Sequence, residues 1–140
     1  MNKTLYAVFL LLGCSAVADE GDFERTHAGT WEQDIGYTQI VQDGKTLYLS
    51  GVVAGGETME EQVRGAYTRI VEMLLEYDVG TDRIVKEVLY TTDMEAMKTA
   101  IPIRKEFFPH EKYPAATWVQ IERLFSEGAM VEVDVTAVLP

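Results

Sequence analysis

The fold of this chain is indicated most clearly by the stretch Met130-Val131-Glu132-Val133-Asp134-Val135-Thr136-Ala137-Val138-Leu139. Apolar and polar residues alternate along most of it, and successive side chains of a β-strand point to opposite faces of a sheet. The alternation predicts a strand over residues 130–139 with its valines on a buried face. The acidic residues Glu132 and Asp134 then lie together on the opposite face.

Four earlier segments also have the composition of strands. They are rich in β-branched, aromatic and other apolar residues, and they cover residues 37–41, 46–50, 84–92 and 117–124. The first two are separated by a short linker that contains Asp43-Gly44, a pair that strongly favours a tight hairpin. The sequence therefore predicts an antiparallel hairpin followed by three further strands.

Two helices are predicted between these strands. Residues 59–77 carry apolar side chains at intervals of three and four, which is typical of a helix with one buried face. Thr58 and Glu61 are spaced as in a capping box at its start. A second helix is predicted over residues 93–108 with Asp93 as its cap, and Pro102 must lie within it or kink it.

The predicted elements form an α+β domain. Their order is strand, strand, helix, strand, helix, strand, strand, which favours a mixed sheet with both helices packed on one face. We assign this domain to residues 35–140 and expect residues 19–34 to form an irregular N-terminal arm. The sheet face without helices must meet water, a ligand or another subunit, and the function is expected there.

The first residues have the features of an export signal. A short positive start precedes an apolar run too short to span a bilayer, and Ala16-Val17-Ala18 is suited to signal peptidase. Residues 1–18 are therefore predicted to be a signal peptide of a periplasmic or secreted protein. An alternative is that Leu11-Leu12-Gly13-Cys14 is a lipobox, in which case acylated Cys14 anchors the protein to a membrane.

Composition argues against several classes of function. The formal net charge is −11, which repels phosphate backbones and makes nucleic acid an unfavourable partner. Cys14 is the only cysteine, so neither a disulfide within the chain nor a cysteine metal site is expected. His27 and His110 are far apart in sequence and give little support to a metal site.

Several segments together resemble the RidA (YjgF) family from about residue 37 to residue 138. They are Thr46-Leu47-Tyr48-Leu49-Ser50-Gly51, Met59-Glu60-Glu61-Gln62, Ile84-Val85-Lys86, Thr92-Asp93-Met94, Tyr113-Pro114-Ala115 and Val131-Glu132-Val133. Each segment alone is a weak signal, whereas their order and spacing are specific.

The resemblance implies a chorismate-mutase-like α+β fold and a homotrimer that binds a small organic ligand in clefts between subunits. It also implies hydrolysis of reactive enamines and imines to 2-oxo acids and ammonia, without a cofactor. In the family an arginine after the Pro-Ala pair holds the substrate carboxylate, which its planar guanidinium suits. A glutamate on the last strand orients or deprotonates the attacking water.

The family pattern is only partly present in this chain. Tyr37, Ser50, Gly51 and Glu132 match the expected site, with Glu132 as the catalytic carboxylate. The arginine is replaced by Ala116, Ile101 stands in place of an asparagine, and Trp118 stands in place of a cysteine. Arg64, Arg104 or Arg123 could reach the pocket, but nothing in the sequence favours any of them.

Each of these residues also has a purely structural interpretation. Glu132 could be a solvated strand residue, Trp118 could pack in the core or at an interface, and Tyr37 and Ser50 could belong to the hairpin. Two functions are therefore predicted. The first is a Rid-type deaminase with weak or altered activity, and the alternative is a trimer that binds a small ligand, or acts as a chaperone, without catalysis.

Overall fold

The computed structural model describes residues 23–140, so the predicted signal peptide, Cys14 and the beginning of the arm lie outside the described residues. The elements in chain order are β1 (Glu24–Thr26), α1 (Trp31–Ile35), β2 (Ile40–Asp43), β3 (Thr46–Val52), α2 (Met59–Leu75), β4 (Ile84–Thr91), α3 (Met94–Thr99), α4 (Ile101–Glu106), β5 (Ala115–Gln120) and β6 (Val131–Val138).

One mixed sheet organises the described chain. Its strand order is β1-β2-β3-β6-β4-β5, in which β4 and β5 run parallel and every other neighbouring pair is antiparallel. The α+β class and the mixed sheet predicted from the sequence are confirmed. Strand β6 lies between β3 and β4, so its side chains are flanked by neighbours on both sides.

The β2–β3 hairpin forms where Asp43-Gly44 indicated it. Asp43 pairs with Thr46, and Gly44 adopts a positive φ of 54°, which a glycine tolerates without the steric cost of a Cβ. Strand β2 begins at Ile40 rather than at Tyr37. Tyr37 therefore lies in the segment that precedes β2. The direction of its side chain is not set by the alternation of side chains along a strand.

Helix α2 and strand β6 form the centre of the core. The capping box of Thr58 and Glu61 is present, and the predicted apolar stripe of α2 is buried on the sheet. On β6, Val131, Val133, Val135 and Ala137 are buried, whereas Glu132 and Asp134 are half-buried on the face without helices. The alternation of the sequence thus corresponds to the two sides of the sheet.

The second predicted helix is interrupted. It consists of α3 and α4, which meet at Ala100, and Pro102 occupies the second position of α4. The first turn of a helix does not need the backbone N–H that proline lacks, so a new helix starts there more easily than the old one continues. Asp93 caps α3 through a hydrogen bond from the backbone nitrogen of Ala96.

The described part of the N-terminal arm is not irregular, in contrast to the sequence prediction. It contains β1, which pairs with β2, and α1, which ends at Gly36 with a positive φ of 71°. Glu32 is fully buried, and its carboxylate accepts hydrogen bonds from the backbone of Ala28 at 2.8 Å and from His27 at 2.7 Å. Burial alone raises the pKa of Glu32, but these hydrogen bonds hold it below its ordinary value. The buried carboxylate of Glu32 thus links α1 to the preceding residues of the arm.

The structure of the described residues bears on two further features, membrane-spanning helices and metal-binding groups. None of the helices between residues 23 and 140 has both the length and the apolar character required to cross a bilayer. Within the same residues, histidine and acidic side chains do not assemble into a group of three suited to a metal ion.

Candidate functional site

The candidate site lies where β3 and β6 meet, on the sheet face opposite to the one that α2 covers. The pairing of β3 with β6 is irregular between Leu49 and Val52, so a bulge carries Ser50 and Gly51 out of the regular register. Bulges commonly redirect side chains next to functional sites. Here the bulge brings the backbone of Gly51 under the side chain of Glu132.

Gly51 is required by the position of Glu132. A Cβ atom added to Gly51 would lie 2.6 Å from Cδ of Glu132 and 2.8 Å from its Cγ, which is closer than real Cβ atoms approach other atoms. Glycine therefore leaves room for the Glu132 carboxyl group directly over the backbone of β3. The Glu132 side chain is half-buried in this position.

Tyr37 and Ser50 form the wall beside this carboxylate. The Tyr37 hydroxyl donates to the Gly51 carbonyl oxygen at 3.2 Å, and the Ser50 hydroxyl donates to the Thr38 carbonyl oxygen at 2.7 Å. Both hydroxyl protons are engaged by the backbone, so the lone pairs of the two oxygens remain for a ligand. Tyr37, Ser50 and Gly51 line an open groove of about 490 Å³, and Glu132 adjoins it through Gly51.

The electrostatics of the site favour a basic carboxylate. Burial raises the pKa of Glu132, and the nearby charge of Asp134 raises it further. Asp134 also has a raised pKa because it is partly buried. Burial raises the pKa of Tyr37 as well, and the charge of Glu132 acts in the same direction. A carboxylate whose pKa is shifted towards neutrality is a better proton acceptor than an ordinary glutamate.

Replacing Asp134 by asparagine is expected to lower the pKa of Glu132 towards its ordinary value, because the neighbouring negative charge is removed while the burial is kept. Carbon-detected NMR titration of the side-chain carboxyl groups measures this directly. Glu72→Gln, on helix α2, is the matched control and is expected to leave the Glu132 titration unchanged. An unchanged pKa in Asp134→Asn would contradict the assigned coupling.

The other expected site residues lie elsewhere in the same chain. Ile101 begins α4, and Ala116 and Trp118 are on β5, which is separated from β6 by β4 and so lies about 10 Å from it. Trp118 is on the helix side of the sheet, where its indole nitrogen donates to Glu87 at 2.9 Å. One chain therefore brings Tyr37, Ser50, Gly51 and Glu132 together, whereas Ala116 and Trp118 lie apart from them on β5 and Ile101 lies on α4.

Trp31 was not expected at the site. Its ring stacks on Tyr37 with a centroid distance of 5.5 Å, and 52% of its surface is exposed. It belongs to α1, which the sequence analysis treated as part of an irregular arm. Gly36, which ends α1 in a left-handed conformation, was the local signal that could have revealed this helix.

The comparison with protein families decides the relationship of this chain to known proteins. The model of the family described as Endoribonuclease L-PSP matches residues 32–139. The chain belongs to the RidA/YjgF family. A RutC family protein of Synechocystis sp. is 28% identical to this Rid-family chain over 113 residues, which are 74% of this chain and 86% of the relative. RutC family protein UK114 of Drosophila melanogaster is 27% identical over 72% of this chain and 78% of its own length.

Solved structures agree with the fold. A YjgF/YER057c/UK114 family member from Mycobacterium tuberculosis has a TM-score of 0.77 at 22% identity, covering 84% of this chain and all of that one (100%). The Rid-family protein YyfA of Yersinia pestis has a TM-score of 0.69 at 26% identity, covering 74% of this chain and 87% of its own. The Rid fold is thus shared with these proteins.

Proposed function

We propose that this Rid-family protein hydrolyses reactive 2-imino acids, and the enamines that tautomerise to them, to 2-oxo acids and ammonia. The observation that carries the proposal is the placement of the Glu132 carboxylate over Gly51, beside the groove that Tyr37 and Ser50 line. Ala116 alters the activity, since the family arginine that holds the substrate carboxylate is absent.

The chemistry requires a base, a water molecule and acceptors for N–H groups. Glu132 takes a proton from water as the water oxygen forms a bond to the imine carbon, and it then passes this proton to the former imine nitrogen. In the resulting carbinolamine, Glu132 moves the hydroxyl proton to the nitrogen as the C=O bond forms and the C–N bond breaks, which releases ammonia and leaves the 2-oxo acid. The hydroxyl groups of Tyr37 and Ser50 already donate hydrogen bonds to backbone carbonyl oxygens. Their oxygen atoms can therefore accept hydrogen bonds from the substrate nitrogen or the water.

The proposal includes a homotrimer whose clefts hold the ligand. The group formed by Glu132, Tyr37 and Ser50 is separated within one chain from the group formed by Ala116 and Trp118. A cleft that contains both groups therefore needs two copies of the chain. The face without helices carries exposed Tyr48 and Val119, which suit burial against another subunit.

Export and the absence of a nucleic acid partner complete the proposal. We place the protein in the periplasm or outside the cell, on the basis of the apolar leader, with membrane anchoring through Cys14 as the alternative. The family model is described as an endoribonuclease. A net charge of −11 opposes binding of an RNA backbone, so a small organic substrate is the better fit.

The full-length protein is expected to accelerate ammonia release from a freshly generated 2-imino acid, because Glu132 acts as a base beside the bound imine. The imine is produced in place by an amino-acid oxidase with catalase, and trapping by semicarbazide measures how much remains. The protein after heat denaturation is the control. Ammonia release equal to buffer from folded protein would reject the deaminase and leave the alternative of a trimer that only binds a small ligand or acts as a chaperone.

A further inference from the structure

Arg104 lies in a buried position next to the place where the family arginine is missing. Only 5% of its surface is exposed, and Nε and Nη2 donate to the Glu87 carboxylate at 3.1 to 3.2 Å. Glu87 is fully buried and also accepts hydrogen bonds from Tyr67 at 2.7 Å and from Trp118 at 2.9 Å. The guanidinium is thus fixed in one orientation by the edge that bears Nε and Nη2.

Aromatic rings surround the same guanidinium. Its Cζ atom is 4.6 Å from the ring centroid of Phe108, 5.3 Å from that of Trp118 and 5.8 Å from that of Tyr113. Rings at these distances stabilise a cation and exclude water from its faces. Arg104 is therefore held as a rigid donor in an apolar surrounding, where hydrogen bonds to charged groups are stronger than in water.

The third nitrogen of the guanidinium points away from Glu87. Nη1 has no hydrogen-bond partner among residues 23–140, although every fully buried side-chain nitrogen and oxygen atom of those residues has one. Nη1 consequently reaches solvent. Because the guanidinium is planar, its two Nη1 protons are directed opposite to the edge that binds the carboxylate.

Ala116 lies on the side of the sheet that carries this cluster. It pairs with Glu87, and it is two residues from Trp118, whose indole nitrogen reaches Glu87 on the helix side. Residues two apart in a strand share a face, so the Ala116 methyl group points to the same side. Ala116 is exposed, and its small side chain leaves open the space that a longer residue would fill above the cluster.

We propose that Arg104 is the carboxylate anchor of this protein, and that Nη1 takes the place of the arginine missing at position 116. The ligand carboxylate lies beside Ala116 and accepts hydrogen bonds from Nη1, with Trp118 and Tyr113 as apolar walls. The assignment rests on the proposed function and deepens it. It identifies how a 2-imino acid is held by one subunit while Glu132 of the other subunit in the cleft acts on it. Since Glu87 already neutralises Arg104, the site suits a single carboxylate better than a phosphate dianion.

Binding of pyruvate, an unreactive 2-oxo acid, tests the anchor without any turnover. The full-length protein is expected to bind pyruvate about tenfold or more tightly than the uncharged analogue pyruvamide, because only pyruvate makes the charged hydrogen bond. Two-dimensional NMR of the Trp118 indole N–H follows the titration, since this group contacts Glu87 at 2.9 Å. Equal affinity for the two ligands in the wild-type protein would overturn the assignment.

A paired substitution guards against simple unfolding. Arg104→Met combined with Glu87→Leu removes both charges and leaves no uncompensated ion, a change that buried ion pairs often tolerate. Once thermal unfolding shows that this variant is folded, it is expected to lose the preference for pyruvate. Arg64→Met, which removes the arginine of the exposed pair with Glu106 at 2.8 Å, is the control and is expected to keep it.

The outcomes separate this inference from the proposed function. A preference for pyruvate that survives in the folded paired variant overturns the role of Arg104, whatever the ammonia assay gives. A preference that depends on Arg104 supports the anchor even if the wild-type protein releases no ammonia, in which case only the deaminase proposal fails.

Discussion

Replacing Glu87 by alanine is expected to lower the free energy of unfolding by about 3–5 kcal/mol, because it leaves the Arg104 charge buried without its partner. Glu87 is 0% exposed and accepts from Arg104, Tyr67 and Trp118, so the ion pair and two further hydrogen bonds are lost at once. Urea denaturation followed by circular dichroism measures the change. A loss well below this range would show that water reaches Arg104 and replaces the carboxylate.

The chain provides its own control for this prediction. Arg64 and Glu106 form a second arginine–glutamate pair at 2.8 Å, but both side chains are more than half exposed. Glu106→Ala is therefore expected to change stability far less than Glu87→Ala, since exposed pairs are solvated and screened. Equal losses at the two sites would mean that burial does not determine the strength of these pairs.

The buried cluster around Glu87 could not be predicted from the sequence. Glu87, Arg104 and Trp118 come from β4, α4 and β5, and the hydrogen bonds of Glu87 span 17 to 31 residues. Periodicity reports which face of its own element a residue occupies, but not which distant residue it meets. Arg104 could therefore be named from the sequence only as one of several arginines.

Structural features that depend on neighbouring residues in the sequence were predicted well. The hairpin at Asp43-Gly44, the capping box of Thr58 and Glu61, and the alternation of β6 each depend on a few neighbouring residues. The described part of the arm was predicted wrongly because its order depends on the buried Glu32, and a glutamate in a polar segment normally indicates exposure. The position of Glu132 is intermediate: the alternation predicted its face, but the bulge at Gly51 that supports it was not visible.

Replacing Glu132 by glutamine is expected to lower the rate of imine hydrolysis by about 10²–10⁴-fold, the usual contribution of a general base. Glutamine keeps the shape that lies across Gly51 but cannot accept the proton from water. In the wild-type protein the rate is expected to rise with pH through the raised pKa of Glu132, since only the ionised form is a base. Ammonia release as a function of pH, in Glu132→Gln and in a Glu122→Gln control, measures both effects. A Glu132→Gln variant with the wild-type rate would remove the carboxylate from the mechanism.

Glu132→Gln, which is expected to lower the rate of hydrolysis, is expected to raise the stability of the folded protein. Burial and Asp134 raise the pKa of Glu132 in the folded protein, so folding disfavours its ionised form. A carboxyl group of this kind contributes stability below its unfolded pKa and loses that contribution as the pH rises. At neutral pH the Glu132→Gln variant should therefore unfold at a higher urea concentration than the wild type, and an equal midpoint would contradict this expectation. A residue that costs stability while ionised, yet is needed for turnover, is typical of a functional site, whereas a merely solvated strand residue would change neither property.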